Sequence, residues 1–175
     1  MIRDIVVYPD KRLKQVSQEV KVFDENLHTL LDDMYETMVA KNGVGLASIQ
    51  IAVPKQVLII NIPIDVDDNK ERDQPKENTL EMINPVIIDC SGSAINQEGC
   101  LSVPKVYEDI ERYKYIKVDF FDRYGEKHTI ETDEFLAVAI QHEMEHLNGK
   151  LFIEKFSYIK RKKFEKEWKK RKRDK

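Results

Sequence analysis

The sequence predicts an α+β fold, and three observations predict it. Helical periodicity is confined to three segments of the chain. Strand-like runs cluster in one block through its middle. A short turn joins two of those runs into an antiparallel hairpin.

In order along the chain, residues 24–43 (DENLHTLLDDMYETMVAKNG) form the first helix. Asp24 caps it, and Leu27, Leu30, Leu31, Met34, Tyr35 and Met38 recur at three and four. Asn42–Gly43 supplies a left-handed stop. Residues 43–50 (GVGLASIQ) read as a glycine after a helix end, followed by a strand; no Lys-Ser/Thr follows the glycines, so this is not a phosphate loop. The run 55–62 (KQVLIINI) is a buried strand, and 63–79, polar and aperiodic, is a loop. Further strands are predicted at 80–89, 113–122 and 127–133, with RYGE (123–126) turning the second of these into the third. A second helix spans 133–149 (DEFLAVAIQHEMEHLNG), with Asp133 near its start and Asn148–Gly149 at its stop. Phe135, Val138 and Ala139 share adjacent sides of it with two histidines, which predicts a buried apolar face beside them. A third helix begins near Ser157 and runs into the basic tail.

At 175 residues, without repeats or an internal linker, the chain reads as one domain over 1–175, with 157–175 as its basic helix or tail. No apolar run approaches the ~20 residues that span a membrane. The start, MIRDIVVYPDKRL, resembles neither a signal peptide nor a transit peptide, so the expectation is a soluble cytoplasmic protein. Its two cysteines, Cys90 and Cys100, are then expected as thiols, where a cysteine near histidines is metal-binding or catalytic. The net charge of −3 is unevenly spread: residues 160–175 hold eleven bases and three acids, and the remaining 159 hold 18 bases and 29 acids. An acidic body with a basic tail predicts contact with a polyanion, against the plainer alternative of a solvated helix end.

The most specific feature is His142-Glu143-Met144-Glu145-His146. Positions i and i+4 of a helix lie one above the other, so His142 and His146 can share a metal ion. Glu143, beside the first ligand, can take a proton from a water on that metal. A third ligand is needed. No histidine follows His146. Glu165 and Glu167 do, but within a Lys/Arg-rich stretch where pairing with neighbouring bases competes. Upstream, Cys100 in NQEGCLSVP (96–104) offers a thiolate suited to zinc or ferrous iron. Spacing alone leaves it equally readable as a small buried apolar residue.

Taken together, GVGLASIQ, EGCLS and QHEMEHLNG, in this order and spacing, resemble the three signature motifs of the peptide deformylases. The resemblance runs through the first helix, INP (83–85) and the basic terminal helix, and covers essentially the whole chain. It implies antiparallel β-sheets packed around a central metal-binding helix, with an N-terminal helix and a basic C-terminal helix. It makes Cys100 the third ligand with His142 and His146. Three protein ligands leave a position for water. Glu143 becomes general base and then acid, and the Gln50 side-chain amide and the Leu101 backbone N–H become donors to the oxyanion. The implied reaction removes the formyl group from N-terminal formylmethionine of nascent chains, releasing formate. The methionine side chain would lie against Val44, Phe135, Val138 and Ala139. The peptide would add as a strand along residues 44–46 on one side and 98–99 on the other, with Gly43, Val44, Gly45, Glu98 and Gly99 as substrate-binding residues. Glu98 is expected to pair with Arg112, and Glu145 to support the ligands from behind. The resemblance also implies one divalent ion per chain, Fe2+ in the cell with Zn2+, Ni2+ or Co2+ in purified protein. It further implies a monomer and docking of the tail on the ribosome. The chain departs from the family pattern at Ser48, where a second alanine is usual, at Glu145, usually Asp, and at Lys105, often Gly.

Two other readings make different demands. A zinc endopeptidase would take Glu165 or Glu167 as third ligand. A structural zinc module binding RNA through its tail would need a closed site, with Cys90 or His128 as fourth ligand.

Overall fold

The computed structural model describes residues 1–65 and 72–174. The apolar run within KQVLIINI shows why this sequence folds in layers. Val57–Ile60 is buried at all four positions. Val57 and Ile59 pack into one core, with Leu27, Leu30, Leu31, Met34 and Met38 of the first helix. Leu58 and Ile60 pack into another, with Ala137, Ile140 and Leu147 of the second. A strand covered on both faces needs apolar side chains on both, which produces a continuous run instead of an alternation.

The elements are α1 (Glu25–Ala40), β1 (Gly45–Ala47), β2 (Val57–Ile60), β3 (Ile64–Asp65), β4 (Arg72–Asp73), β5 (Leu80–Ser91), β6 (Ala94–Cys100), β7 (Val103–Arg112), β8 (Tyr115–Phe121), β9 (Lys127–Thr132), α2 (Phe135–Leu147) and α3 (Tyr158–Arg173). Among the described residues the strands form a five-stranded sheet, β1-β2-β5-β8-β9, and two-stranded ribbons β3-β4 and β6-β7. Every pairing between these strands is antiparallel. The α+β class is therefore as expected. In β8 the alternation is clean, with Ile116, Val118 and Phe120 buried.

Helix ends follow local chemistry. The Asp24 carboxylate accepts from the Leu27 N–H at 3.1 Å, and Ser157 Oγ accepts from the Lys160 N–H at 3.3 Å. At the end of α1 the left-handed residue is Asn42 (φ 56°) and not Gly43; after α2 it is Gly149 (φ 71°). Gly43 answers to space instead: a Cβ there would lie 2.8 Å from Leu101 Cδ1.

Three expectations need correction. The predicted 63–79 loop contains the short β3-β4 pairing and a 3-10 turn at Lys76–Asn78, while its centre, 66–71, lies outside the described residues. The β6-β7 ribbon extends through residues 94–112, where the sequence pattern predicts only a connection between strands. Phe135 is not on a buried face; as the first residue of α2 it is 48% exposed.

A third core joins α3 to the ribbon. Phe164 packs with Val6, Leu13, Val103, Ile110, Leu151 and Phe152, and Trp168 lies against them. The ribbon is thus held between α2 and α3, with its Cys100 end beside the second helix.

Candidate active site

The geometry begins with α2, whose helical spacing sets His142 and His146 on one face with ring centroids 5.1 Å apart. Cys100, the last residue of β6, meets them: its Sγ lies 3.3 Å from His146 Nε2. One donor atom from each of Cys100, His142 and His146 lies within 4.8 Å of the others. Donors this close can share a single ion at the usual ~2.0–2.3 Å ligand distances, and two imidazoles with a thiolate suit zinc or ferrous iron.

The His142 ring is set by what stands behind it, while among the described residues His146 Nδ1 has no hydrogen-bond partner. His142 Nδ1 lies 2.8 Å from Glu98 Oε1. The carboxylate can only accept, so Nδ1 carries a proton, which leaves Nε2 as the nitrogen a metal would take. Glu98 is gripped in turn by Arg112, with Nε donating to Oε2 at 2.6 Å and Nη2 to Oε1 at 2.9 Å. The same guanidinium donates from Nη1 to Glu145 Oε1 at 2.9 Å, and Lys155 Nζ lies 3.2 Å from that oxygen. Burial would raise the Glu98 carboxyl, yet hydrogen bonds from His142 and Arg112 outweigh it and hold the group ionised. Burial likewise would lower His142, but its bonds to Cys100 and Glu98 hold it well above its ordinary value. Burial, then the charges of His142 and Arg112, push His146 well below. A divalent cation would compete with the His142 proton, because imidazole ligates only in its neutral form.

Glu143 points its carboxylate into the same space. It is buried, and among the described residues its Oε2 has no hydrogen-bond partner. Burial raises its pKa to about 7. Gly45 of β1 makes room for it: a Cβ at Gly45 would lie 2.7 Å from Glu143 Oε1. Gln50, buried in a 3-10 turn after β1, has its amide orientation fixed from both ends. Its Oε1 accepts from the Ala47 N–H at 2.9 Å, and its Nε2 donates to Ser102 Oγ at 3.1 Å with Cys100 Sγ at 3.7 Å. The donor end therefore faces the cysteine. Ser48 is buried with its hydroxyl donating to the Lys55 carbonyl at 2.7 Å, so the extra hydroxyl is satisfied away from the site.

These groups open onto a cavity of about 450 Å³. Gly43, Val44, Gly45, Gln50, Glu98, Gly99, Cys100 and Leu101 line one part of it, and Phe135, Val138, Ala139, His142 and Glu143 another. Arg112, Glu145 and His146 sit behind this lining. Among the described residues β1 is the edge of the five-stranded sheet and β6 pairs only with β7, so each offers an unpaired strand edge. Of the residues in the competing readings, Glu165 pairs with Arg161 at 3.2 Å, His128 lies 2.7 Å from Asp122, and Cys90 faces Ile116 within the sheet. Sequence reasoning misses Ser102, the partner of Gln50, and Tyr107, whose ring a Cβ at Gly99 would meet at 2.7 Å. Ser102 has a signal in its place two residues after Cys100; Tyr107 has none.

A cysteine sulfur and two imidazoles around an open pocket, with an unpartnered buried carboxylate beside them, define a metal-dependent hydrolase. Comparison with known proteins narrows this. The family profile described as polypeptide deformylase matches residues 2–162. A peptide deformylase of Nautilia profundicola is 54% identical over 169 residues, 97% of this chain and 94% of its own. The crystal structure of a peptide deformylase from Legionella pneumophila superposes with a TM-score of 0.86 at 37% identity, covering 99% of this chain and 96% of that one. A class I type b peptide deformylase from Acinetobacter baumannii, solved with Met-Ala-Ser bound, superposes at 0.80 with 31% identity, over 89% and 99%. The chain belongs to the peptide deformylase family, the metal-dependent hydrolases that remove the N-formyl group from nascent peptides. No helix among the described residues is long and apolar enough to cross a membrane.

Proposed function

We propose that residues 1–175 act as one catalytic unit in which Cys100, His142 and His146 hold one divalent ion, Fe2+ in the cell, with Zn2+, Ni2+ or Co2+ able to replace it in purified protein. The observation that carries this reading is the convergence of those three donors beside the unpartnered Glu143 Oε2. When bound, such an ion lowers the pKa of a water from 15.7 towards ~7 and polarises a carbonyl oxygen. Glu143 takes the proton of the attacking water and returns it to the leaving amine. Burial favours the neutral carboxyl, which helps Glu143 hold the proton between the two halves of that exchange. The charge that develops on the formyl oxygen is met by the Gln50 Nε2 amide and the Leu101 backbone N–H. One such donor lowers the barrier by about 3 kcal/mol.

Substrate is the formylmethionyl end of a new polypeptide. Its methionine side chain lies against Val44, Val138 and Ala139, with the half-exposed Phe135 ring at the margin. Its backbone adds between the edges of β1 and β6, along Gly43–Gly45 and Glu98–Gly99. The Met-Ala-Ser bound by the Acinetobacter relative is the deformylated counterpart of such a substrate. The protein works as a monomer in the cytoplasm, and the exposed bases of α3 meet phosphates of ribosomal RNA.

The test is formate release from formyl-Met-Ala-Ser by protein prepared anaerobically with Fe2+, with acetyl-Met-Ala-Ser as control. Formate from the first peptide only, and loss of both metal and activity in Cys100→Ala, is the expected result. Metal retained by Cys100→Ala would exclude Cys100 as a ligand, and no formate from metal-replete protein would sink the reaction.

A further inference from the structure

The wall of the active-site cavity carries two charges that the chemistry does not use. Lys41 and Lys105 both line it, both are exposed, and neither has an ion-pair partner among the described residues. Each stands on fixed backbone. Lys41 is the C-cap of α1, its N–H bonded to the Thr37 and Met38 carbonyls. Lys105 follows Pro104 in a left-handed conformation (φ 61°). Arg171 of α3 pins this start of β7, donating to the Pro104 and Lys105 carbonyls at 3.1 and 3.2 Å. The acids in the same lining, Glu98 and Glu143, are buried. Asp133 and Glu134, next to Phe135, lie outside the lining.

Burial along the two walls decides which way a bound peptide leaves. With its formyl end at Cys100 and the histidines, a chain following β1 towards Leu46 and Ala47 would enter the core. In the other direction lie Gly43, then exposed Asn42 and Lys41. On the opposite wall, exposed Pro104 and Lys105 follow the buried Ser102 and Val103. Residues after the methionine therefore leave by the exposed part of the cavity, whose lining includes Lys41 and Lys105.

We infer that Lys41 and Lys105 set a preference of this protein for formylmethionyl chains with acidic side chains at the second and third positions after the methionine, and against basic ones there. The inference rests on the deformylase reading and adds to it a charge selectivity at the rim. Charges at an exposed rim act through partly screened Coulomb forces, so each lysine contributes a few-fold, and salt removes the effect.

The experiment compares kcat/KM for three formyl-Met-Ala peptides followed by two Glu, two Gln or two Lys residues, at low and high salt. The Glu peptide should exceed the Lys peptide by about tenfold at ~20 mM salt, with Gln between them. The ratio should fall to within about twofold at ~500 mM. In the double variant Lys41→Glu/Lys105→Glu the order should invert. Because each ratio is taken within one preparation, metal loading and loss of fold cancel. Equal rates for all three peptides at low salt, or an unchanged order in the double variant, would overturn the inference while the reaction stood. If no peptide yields formate, the reaction fails. Equilibrium binding of the same three peptides without their formyl groups then reads the rim: the order Glu, Gln, Lys upholds it, and uniform affinity overturns it.

Discussion

Glu143 is surrounded by protein, and burial, only partly offset by the charges of His142 and Arg112, raises its carboxyl from an ordinary 4.5 to about 7. That shift has a consequence for stability in the metal-free protein. Because the folded value lies above the unfolded one, the contribution is fully present below pH ~4.5 and is lost as pH rises through about 7. At ~1.4 kcal/mol for each tenfold change in proton affinity, the loss amounts to about 3 kcal/mol. Glu143→Gln keeps the shape and removes the ionisation. Urea unfolding of the metal-free protein should therefore show the variant gaining on the native chain by about 3 kcal/mol between pH 4.5 and 8.5. A difference that does not change with pH would mean that the carboxyl ionises as freely as in water. The same residue shows what the sequence makes legible at this scale. Its place in a His-Glu-x-x-His helix marks it as a base, whereas the reason it fits, a glycine at position 45 with no Cβ to strike its carboxylate, is a contact across ~100 residues that no local pattern reveals.

Among the elements, the helices are readable and the ribbon is not. α1 and α3 declare themselves by capping side chains and, for α1, by apolar residues at three and four. β6 and β7 form a two-stranded sheet whose outer residues, Ile95, Gln97, Lys105, Tyr107 and Asp109 among them, are exposed, so hydrophobic alternation is weak. Cys100 suffers from the same weakness: spacing leaves it open as a ligand, and only the family motif singles it out. What fixes it is a register shift between Glu98 and Cys100 at the end of the ribbon. Arg112 ties that ribbon to α2, reaching Glu98 from β7 and Glu145 on the helix while only 4% exposed. Glu145 also meets Lys155. Arg112→Met would leave Glu98 and Glu145 without their cation, and should cost about 3–5 kcal/mol. It should also free the carboxylate that orients His142, weakening metal affinity by about 10–100-fold. Denaturant unfolding and metal titration check the two effects separately; a variant with native metal affinity would show that Glu98 orients the ring without Arg112.

Across the whole molecule, α3 serves two ends with two faces. Its inner face is aromatic: Phe164 is buried, with ring centroids 5.4 Å from Tyr8 and 5.6 Å from Trp168. Several of its bases are engaged in the fold. Lys160 pairs with Glu108, Arg161 donates to the Ile153 carbonyl, and Arg171 holds the Pro104–Lys105 start of β7. Lys166, Lys169, Lys170 and Lys172 are exposed, and among the described residues none has an ion-pair partner, so a polyanion would find them. This division predicts separable phenotypes. Phe164→Ala should destabilise the protein by about 3–5 kcal/mol, because it opens a cavity in the core that joins α3 to the ribbon. Replacing the four outer lysines with glutamate disturbs no packed side chain and should change stability by less than about 2 kcal/mol, most of it from Lys170 and Lys172 in the last turn. If those lysines meet ribosomal phosphates, co-sedimentation of the native chain with ribosomes should weaken steeply as salt rises. The four-glutamate protein should bind far more weakly and with a shallower salt slope, since every phosphate left without its lysine takes ~0.7–0.9 off that slope. Undiminished binding by the four-glutamate protein would place any ribosome contact elsewhere on the molecule and leave the outer face of α3 as a solvated surface.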